Sequence, residues 1–167
     1  MSSASKNLST FDSTSLPDAS GMRVGIVVSE WNAEVTEKLF EGANQTLLAC
    51  NCKKENIIRK NVPGSFELPT GASFFAEYES VDAVICIGCV IQGETRHFEF
   101  ICNAVSQGLV NLSIEYSMPF IFGVLTTDTQ EQAADRSGGK HGNKGIEAAV
   151  TAIKMIAMQK EFAARKL

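Results

Sequence analysis

The sequence predicts an α/β domain in layers: one parallel sheet with helices on both faces. Three observations carry this. Four short apolar runs of strand length recur along the 167 residues and alternate with segments whose apolar residues repeat at helical spacing. The connections are short, and with right-handed crossovers that alternation builds a parallel sheet covered on both sides. The length and the mass of 18.0 kDa suit a single domain with a sizeable core.

Residues 1–21 hold little that could pack and are rich in serine. They are not arginine-rich, and Asp12 and Asp18 argue against a transit peptide. They read as a flexible arm, of a kind that can order against a neighbouring subunit, with the folded domain spanning 22–165. Arg23-Val24-Gly25-Ile26-Val27-Val28 is a buried first strand. Ser29-Glu30-Trp31-Asn32 leaves it, and Val35, Leu39, Ala43, Leu47 and Cys50 mark the inner stripe of the first helix. Trp31, the only tryptophan, follows a strand's carboxyl end. Its commoner role is a core lid; a flat ring at a sheet's open end also suits stacking on a heterocycle.

Ile57-Ile58-Arg59-Lys60-Asn61-Val62 is less apolar and reads as an edge strand. Pro63-Gly64-Ser65-Phe66-Glu67-Leu68-Pro69 makes a rigid, proline-bracketed corner before a helix reaching about Glu79. Glu67 at that helix start is a favourable dipole partner, and could equally accept hydroxyl protons from a polyol, assisted by the amides of Ser65 and Phe66.

Val81 to Ile87 is the third strand. From Gly88 through Cys89, Val90, Ile91, Gln92, Gly93, Glu94, Thr95 and Arg96 to His97 and Phe98 the chain reads as a strand-to-helix turn. Its two glycines mark a bend or a close approach. Ile101, Ala104, Val105, Gly108 and Leu112 continue it as a helix. Thr95 is the expected cap, and the unpaired amides of the first turn favour an anion there. One turn in stands His97, one of two histidines, whose imidazole can pass protons. A solvated side chain at an ordinary strand-helix corner is the simpler reading of the same residue.

Met118 to Leu125 is the fourth strand, ended by Thr126-Thr127. Asp128 with Glu131 suggests a capping box for a short helix ending at Arg136. Ser137 to Gly145 reads as a glycine-rich loop. It is no Walker motif: it follows a helix, and Gly145 stands where a serine or threonine must hold magnesium. Lys140 and His141 read as solvated, whereas Arg136 and Lys144 are candidates to touch a phosphate or a ring carbonyl. Ile146, Ala149, Val150, Ile153 and Ala157 carry a last helix to about Arg165.

Composition narrows the partners. A net charge of −4 without a basic stripe speaks against nucleic acid. No apolar run is long enough to cross a bilayer. Cysteines 50, 52, 86, 89 and 102 form no extracellular framework and suggest a reducing, cytoplasmic setting. Cys86 and Cys89 have redox-motif spacing but would point to opposite faces of a strand. Cys50 and Cys52 lack a second ligand pair, and His97-Phe98-Glu99 has no Pro-Cys-x-x-Cys after it, so no metal is expected. Trp31, Ser65 to Glu67, Cys89 to His97 and the Thr126 region all follow strands. They should converge on one crevice at the sheet's switch point.

Five stretches carry a resemblance: Trp31-Asn32, Val62 to Pro69, Gly88 to His97, Phe120 to Thr127, and Arg136 through Gly142-Asn143-Lys144-Gly145. In this order and spacing the chain from Arg23 to Ala163 is similar to the lumazine synthases. The resemblance implies a flavodoxin-like, doubly wound three-layer domain in a pentamer, with a sixty-subunit shell as a further level, and admits riboflavin synthase as a partner. It implies condensation of 5-amino-6-(D-ribitylamino)uracil with 3,4-dihydroxy-2-butanone 4-phosphate, without metal or organic cofactor. By position, Trp31 stacks on the pyrimidine with Asn32 beside it, and Ser65, Phe66 and Glu67 hold the ribityl chain. Cys89, Val90 and Ile91 offer backbone groups, and the amides around Glu94 and Thr95 seat the phosphate with Arg136. His97 moves protons, Phe122 closes the pocket from a neighbouring subunit, and Lys144 touches substrate. Glu94, an anion beside an anion seat, must point away or be offset by Arg96. The run from Arg136 to Gly145 lacks the longer insert that in the family accompanies pentamers without shells, whereas Pro17 in the arm would hinder a shell. Two other readings suit the scaffold: a non-catalytic flavin- or pterin-binding module, and a shell-forming protein whose activity has lapsed. A pure ring binder would need neither His97 nor Arg136.

Overall fold

The computed structural model describes residues 9–165. Strands β1 (Val24–Ser29), β2 (Ile57–Val62), β3 (Ala83–Ile91) and β4 (Phe120–Thr127) form one parallel sheet in the order β2-β1-β3-β4. Between and after them run α1 (Ala33–Ala49), α2 (Leu68–Tyr78), α3 (His97–Glu115), α4 (Gln130–Arg136) and α5 (Lys144–Ala164), with a small antiparallel pair, β5 (Ser137–Gly139) and β6 (Gly142–Asn143). This is the flavodoxin-like, doubly wound three-layer arrangement.

Strand side chains alternate between two cores. Ile26, Ile85 and Ile87 join Leu39 and Leu47 of α1 and Ile153 and Ile156 of α5 on one face. Val27, Val84 and Cys86 join Leu68 and Phe75 of α2 and Val105 and Leu109 of α3 on the other. Each fully buried aliphatic side chain contributes about 1.5–3 kcal/mol. The α1 stripe Val35, Leu39, Ala43, Leu47 and Cys50 is buried throughout, as its spacing requires. Helix α3 differs: of its 19 residues only Val105 and Leu109 are buried.

The α1–α5 junction is built on main chain. A Cβ on Gly145 would lie 1.8 Å from Leu39 O, so only glycine lets the two helices meet. Asn143 caps α5 through Oδ1, which accepts from Gly145 N at 2.8 Å, and its Nδ2 donates to Lys38 O at 2.9 Å.

Of the arm expected over 1–21, residues 1–8 lie outside the described residues. From Ser9 the chain lies along its own domain. Ser9 Oγ accepts from Asn143 N at 2.9 Å, Phe11 and Leu16 pack on the core, and buried Ala19 donates its N–H to Cys50 O. These apolar side chains are too sparse among serines to show a period.

Several boundaries need correction. β3 does not stop at Ile87 but runs to Ile91, so Cys89, Val90 and Ile91 belong to a strand and not to a turn. Gly88 imitates a bend in sequence, yet its freedom is used for close packing. α3 begins at His97 itself; Thr95 makes only a long contact, its Oγ1 accepting from His97 N at 3.4 Å. The cap of α4 is Thr129, whose hydroxyl accepts from Gln132 N, while Gln132 Oε1 accepts from Asp128 N at 2.8 Å. The capping pair is thus displaced by one residue from Asp128 and Glu131. The expected loop at Ser137–Gly145 is the β5–β6 pair and the first turn of α5.

Candidate functional site

The sheet leaves one strand edge open at its carboxyl end. β1 pairs with β2 as far as Ser29↔Val62 and with β3 only as far as Val28↔Ile87. β3 continues, paired with β4 up to Ile91↔Thr127. Four residues of β3 therefore project past the last β1 partner. Main-chain polar groups of a strand alternate between its edges. Gln92 N–H donates towards β4, to Thr127 O, so Cys89 and Ile91 turn theirs towards the β1 side. Against this edge lies a crevice of about 650 Å³, at the point where strand order reverses.

Three connections line it. The β1–α1 turn supplies Trp31 and Asn32. Trp31 N donates to Pro63 O at 3.2 Å and Glu30 N to Val62 O at 2.8 Å, tying this turn to the end of β2. The indole itself is 72% exposed and free to cover whatever enters. Asn32 is left-handed, at φ 60°, and its Nδ2 donates to Cys89 O at 2.9 Å across the crevice floor.

After β2, Gly64, Ser65, Phe66 and Glu67 form the opposite wall. Ser65–Glu67 is a single tight turn leading directly into α2, whose second residue is Pro69. Phe66 is 55% exposed over the opening. The Glu67 carboxylate folds back over Gly64, with Oε2 3.0 Å from the position of a Cβ there. Ser65 Oγ is buried and finds no hydrogen-bond partner among the described residues.

The third wall is β3 and the start of α3: Cys89, Val90, Ile91, Gly93, Thr95, His97, Phe98 and Ile101. His97 opens α3 and is exposed at the mouth. Cys89 is buried, and that burial pushes its thiol up to about 11, which leaves it a poor nucleophile at neutral pH. Cys86 and Cys89 belong to opposite cores, so the pair cannot act as a redox motif. Among the described residues no cluster of three or more His, Cys, Asp or Glu side chains could hold a metal ion, and no helix is long and apolar enough to cross a membrane.

Trp31, Asn32, Ser65, Phe66, Glu67, Cys89, Val90, Ile91, Thr95 and His97 thus come together as anticipated. Glu94, Phe122, Arg136 and Lys144 lie outside this chain's own crevice, as does the Thr126 region. Thr126 and Thr127 pair with the far edge of β3, so β3 itself stands between them and the opening. Glu94 is exposed, and Arg96 pairs with Glu99 at 3.1 Å. Phe122 is 37% exposed on the edge strand β4. Arg136 ends α4, and Lys144 Nζ pairs with Glu147 at 3.0 Å. Sequence reasoning missed Gly64, Gly93, Phe98 and Ile101 as lining residues. Ile101 sits on the stripe read as core and does pack against that core, but it is only half-buried and also lines the crevice. A second, apolar hollow of about 510 Å³ between β2 and α2 shares Glu67 with the crevice but contains neither histidine.

Residues 21–160 match the family model for 6,7-dimethyl-8-ribityllumazine synthase. The chain is 62% identical over 157 residues to the 6,7-dimethyl-8-ribityllumazine synthase of Cytophaga hutchinsonii, covering 94% of this chain and 98% of that one. It is 57% identical to that of Parabacteroides distasonis, over 93% of this chain and 98% of the other. With the Porphyromonas gingivalis protein of the same name it shares 51% over 96% and 99%.

Proposed function

The chain belongs to the 6,7-dimethyl-8-ribityllumazine synthase family, and from that premise we propose that it condenses 5-amino-6-(D-ribitylamino)uracil with 3,4-dihydroxy-2-butanone 4-phosphate. The products are 6,7-dimethyl-8-ribityllumazine, phosphate and water, the penultimate step of riboflavin biosynthesis. The observation that carries the reading is the crevice itself. One open strand edge is flanked by a flat ring, Trp31, by a carboxylate suited to hydroxyls, Glu67, and by an imidazole, His97.

In this reading the pyrimidine lies against the Cys89–Ile91 edge under Trp31, and the ribityl chain runs between Ser65, Phe66 and Glu67. The amine attacks the ketone to give an imine, phosphate departs, and the second nitrogen closes the ring. Each step asks for proton transfer and held geometry rather than a strong nucleophile, which agrees with an unreactive Cys89 thiol and an accessible His97. Phosphate is seated by the amides at Glu94 and Thr95.

Phe122, Arg136 and Lys144 enter the site from a neighbouring copy. What supports this is their place outside their own crevice together with the apolar surface left on α2 and α3. Tyr78 is 80% exposed, Ile114 75%, Phe100 66% and Phe74 55%. Such a surface is characteristic of an interface. A closed head-to-tail pentamer in the cytoplasm is the assembly proposed, with the sixty-subunit shell above it. Mixing both substrates with the protein and following the product's absorbance and fluorescence tests the reaction. Absence of turnover in a folded, assembled protein that still quenches Trp31 with the pyrimidine would leave only a ring-binding module.

A further inference from the structure

The geometry points to Asn32 as a positioning residue. Its side-chain amide clips the β1–α1 turn to the open edge of β3 and so holds Trp31 over the crevice. The inference rests on the proposed pyrimidine site, whose ring-stacking residue it would steady.

An asparagine at a helix N-cap ordinarily spends its side-chain oxygen on the first-turn amides. Asn32 does not; no side-chain cap bond is formed there. Its main-chain carbonyl starts α1 by accepting from Val35 N at 2.9 Å and Thr36 N at 3.1 Å, and its side chain turns away to Cys89 O at 2.9 Å. The backbone at φ 60°, ψ 44° is what permits this, and asparagine tolerates that region better than most residues. Cys89 stands two residues beyond the last β1–β3 pair, so its carbonyl has lost the strand partner that Ile87 still has. Asn32 substitutes for the missing strand.

Two consequences follow. A carbonyl can only accept, so Nδ2 must face Cys89 and Oδ1 must face the other way; the amide cannot flip. And the turn is held on both sides, by Trp31 N to Pro63 O towards β2 and by Asn32 Nδ2 to Cys89 O towards β3. The indole, itself 72% exposed, has little packing of its own, so its place depends on this double anchorage.

The test compares Asn32→Gly, which keeps the left-handed backbone but loses the clip, with Asn32→Asp, which sets carboxylate oxygens against the Cys89 carbonyl. In both, the apparent constant for the ribitylaminouracil, and its dissociation constant from Trp31 quenching, should rise about tenfold, the scale of one net hydrogen bond lost from the support of the stacking ring. The constant for the butanone phosphate should stay within about twofold. In the ligand-free protein the anisotropy decay of Trp31 should gain a faster component. Asn32→Gly with wild-type pyrimidine affinity and wild-type decay overturns the inference, as do equal effects on both substrates. If neither variant folds, Asn32 is a folding determinant and the positioning role is refuted. Should the wild-type protein itself ignore the pyrimidine, the proposed function fails, while the ligand-free decay still decides the clip.

Discussion

Ser65 Oγ lies 2.7 Å from the point a Cβ on Gly88 would occupy, with Leu68 Cδ1 at 2.9 Å from the same point. The wall that carries Ser65, Phe66 and Glu67 is therefore seated directly on the bare backbone of β3. Gly88→Ala should push that wall outward. Overpacking of this kind costs about 1–3 kcal/mol, read as a lowered urea midpoint. Adding Ser65→Ala removes the nearest atom and should recover part of the loss. Purely additive losses in the double variant would mean that the two positions do not touch.

His97→Ala should lower turnover by about 10²–10⁴ if the imidazole serves a reaction dominated by positioning. Pyrimidine binding, followed by Trp31 fluorescence, should survive, because His97 is exposed at the start of α3 and supports no core. Loss of folding or of binding would place His97 in the architecture instead.

Arg136→Ala should raise the apparent constant for the butanone phosphate far more than that for the pyrimidine. The predicted division of labour places Arg136 on the phosphate and Trp31 on the ring. Equal increases would make Arg136 a structural residue at the end of α4.

Composite sites give a sharper check. Neither His97→Ala nor Arg136→Ala should be fully active alone. Refolded together as mixed rings, with one residue drawn from each neighbour, about a quarter of sites should be intact. Activity clearly above both parents is the expected result; activity at their average would confine both residues to one chain's site.

Tyr116 gives a pH-dependent prediction. Its hydroxyl donates to Glu77 and joins the end of α3 to α2, and that carboxylate, aided by desolvation, pushes the phenol up to about 12. The neutral phenol is the form that donates. Its folded value lies above the ordinary 10.0, so the link is fully present below about pH 10 and is lost as pH rises towards 12. Tyr116→Phe should therefore be slightly less stable than wild type below pH 10, and the gap should close above it. A gap that persists unchanged at pH 12 would assign the effect to packing.

Much of this was legible in the chain. The alternation of strands and helices along the chain and the buried stripe of α1 follow from periodicity, the latter because α1 is covered by the sheet and α5. The end of β3 was not, since Gly88 reads equally as a bend or as a flat place for another chain to rest, and only the position of Ser65 decides. α3 was read as carrying a full inner stripe, yet Ile101 and Leu112 are only partly buried, because a single chain covers that helix incompletely. Nine of the ten crevice residues lie in stretches picked out by the rule that parallel sheets bind at their carboxyl ends; the tenth, Asn32, came from the resemblance. Arg136 and Lys144, cations bracketing the glycine-rich stretch, and Phe122, assigned from resemblance, escape that rule because none of them stands at the carboxyl end of a strand of the parallel sheet.

The overhang of β3 has a bearing on how the protein can vary. Recognition by a side chain is erased by one substitution, but an amide and a carbonyl are common to nearly every amino acid. Cys89 and Ile91 could be exchanged for other residues of similar bulk without altering the donors and acceptors that the strand presents; at Ile91, proline alone would remove one. Drift over generations would then be expected to change the shape and greasiness of the floor while leaving its hydrogen-bonding pattern untouched. The same property limits redesign: a new hydrogen-bonding specificity for the ring must be introduced from the Trp31 or Ser65 side, because side-chain substitution in the floor leaves its main-chain donors and acceptors in place.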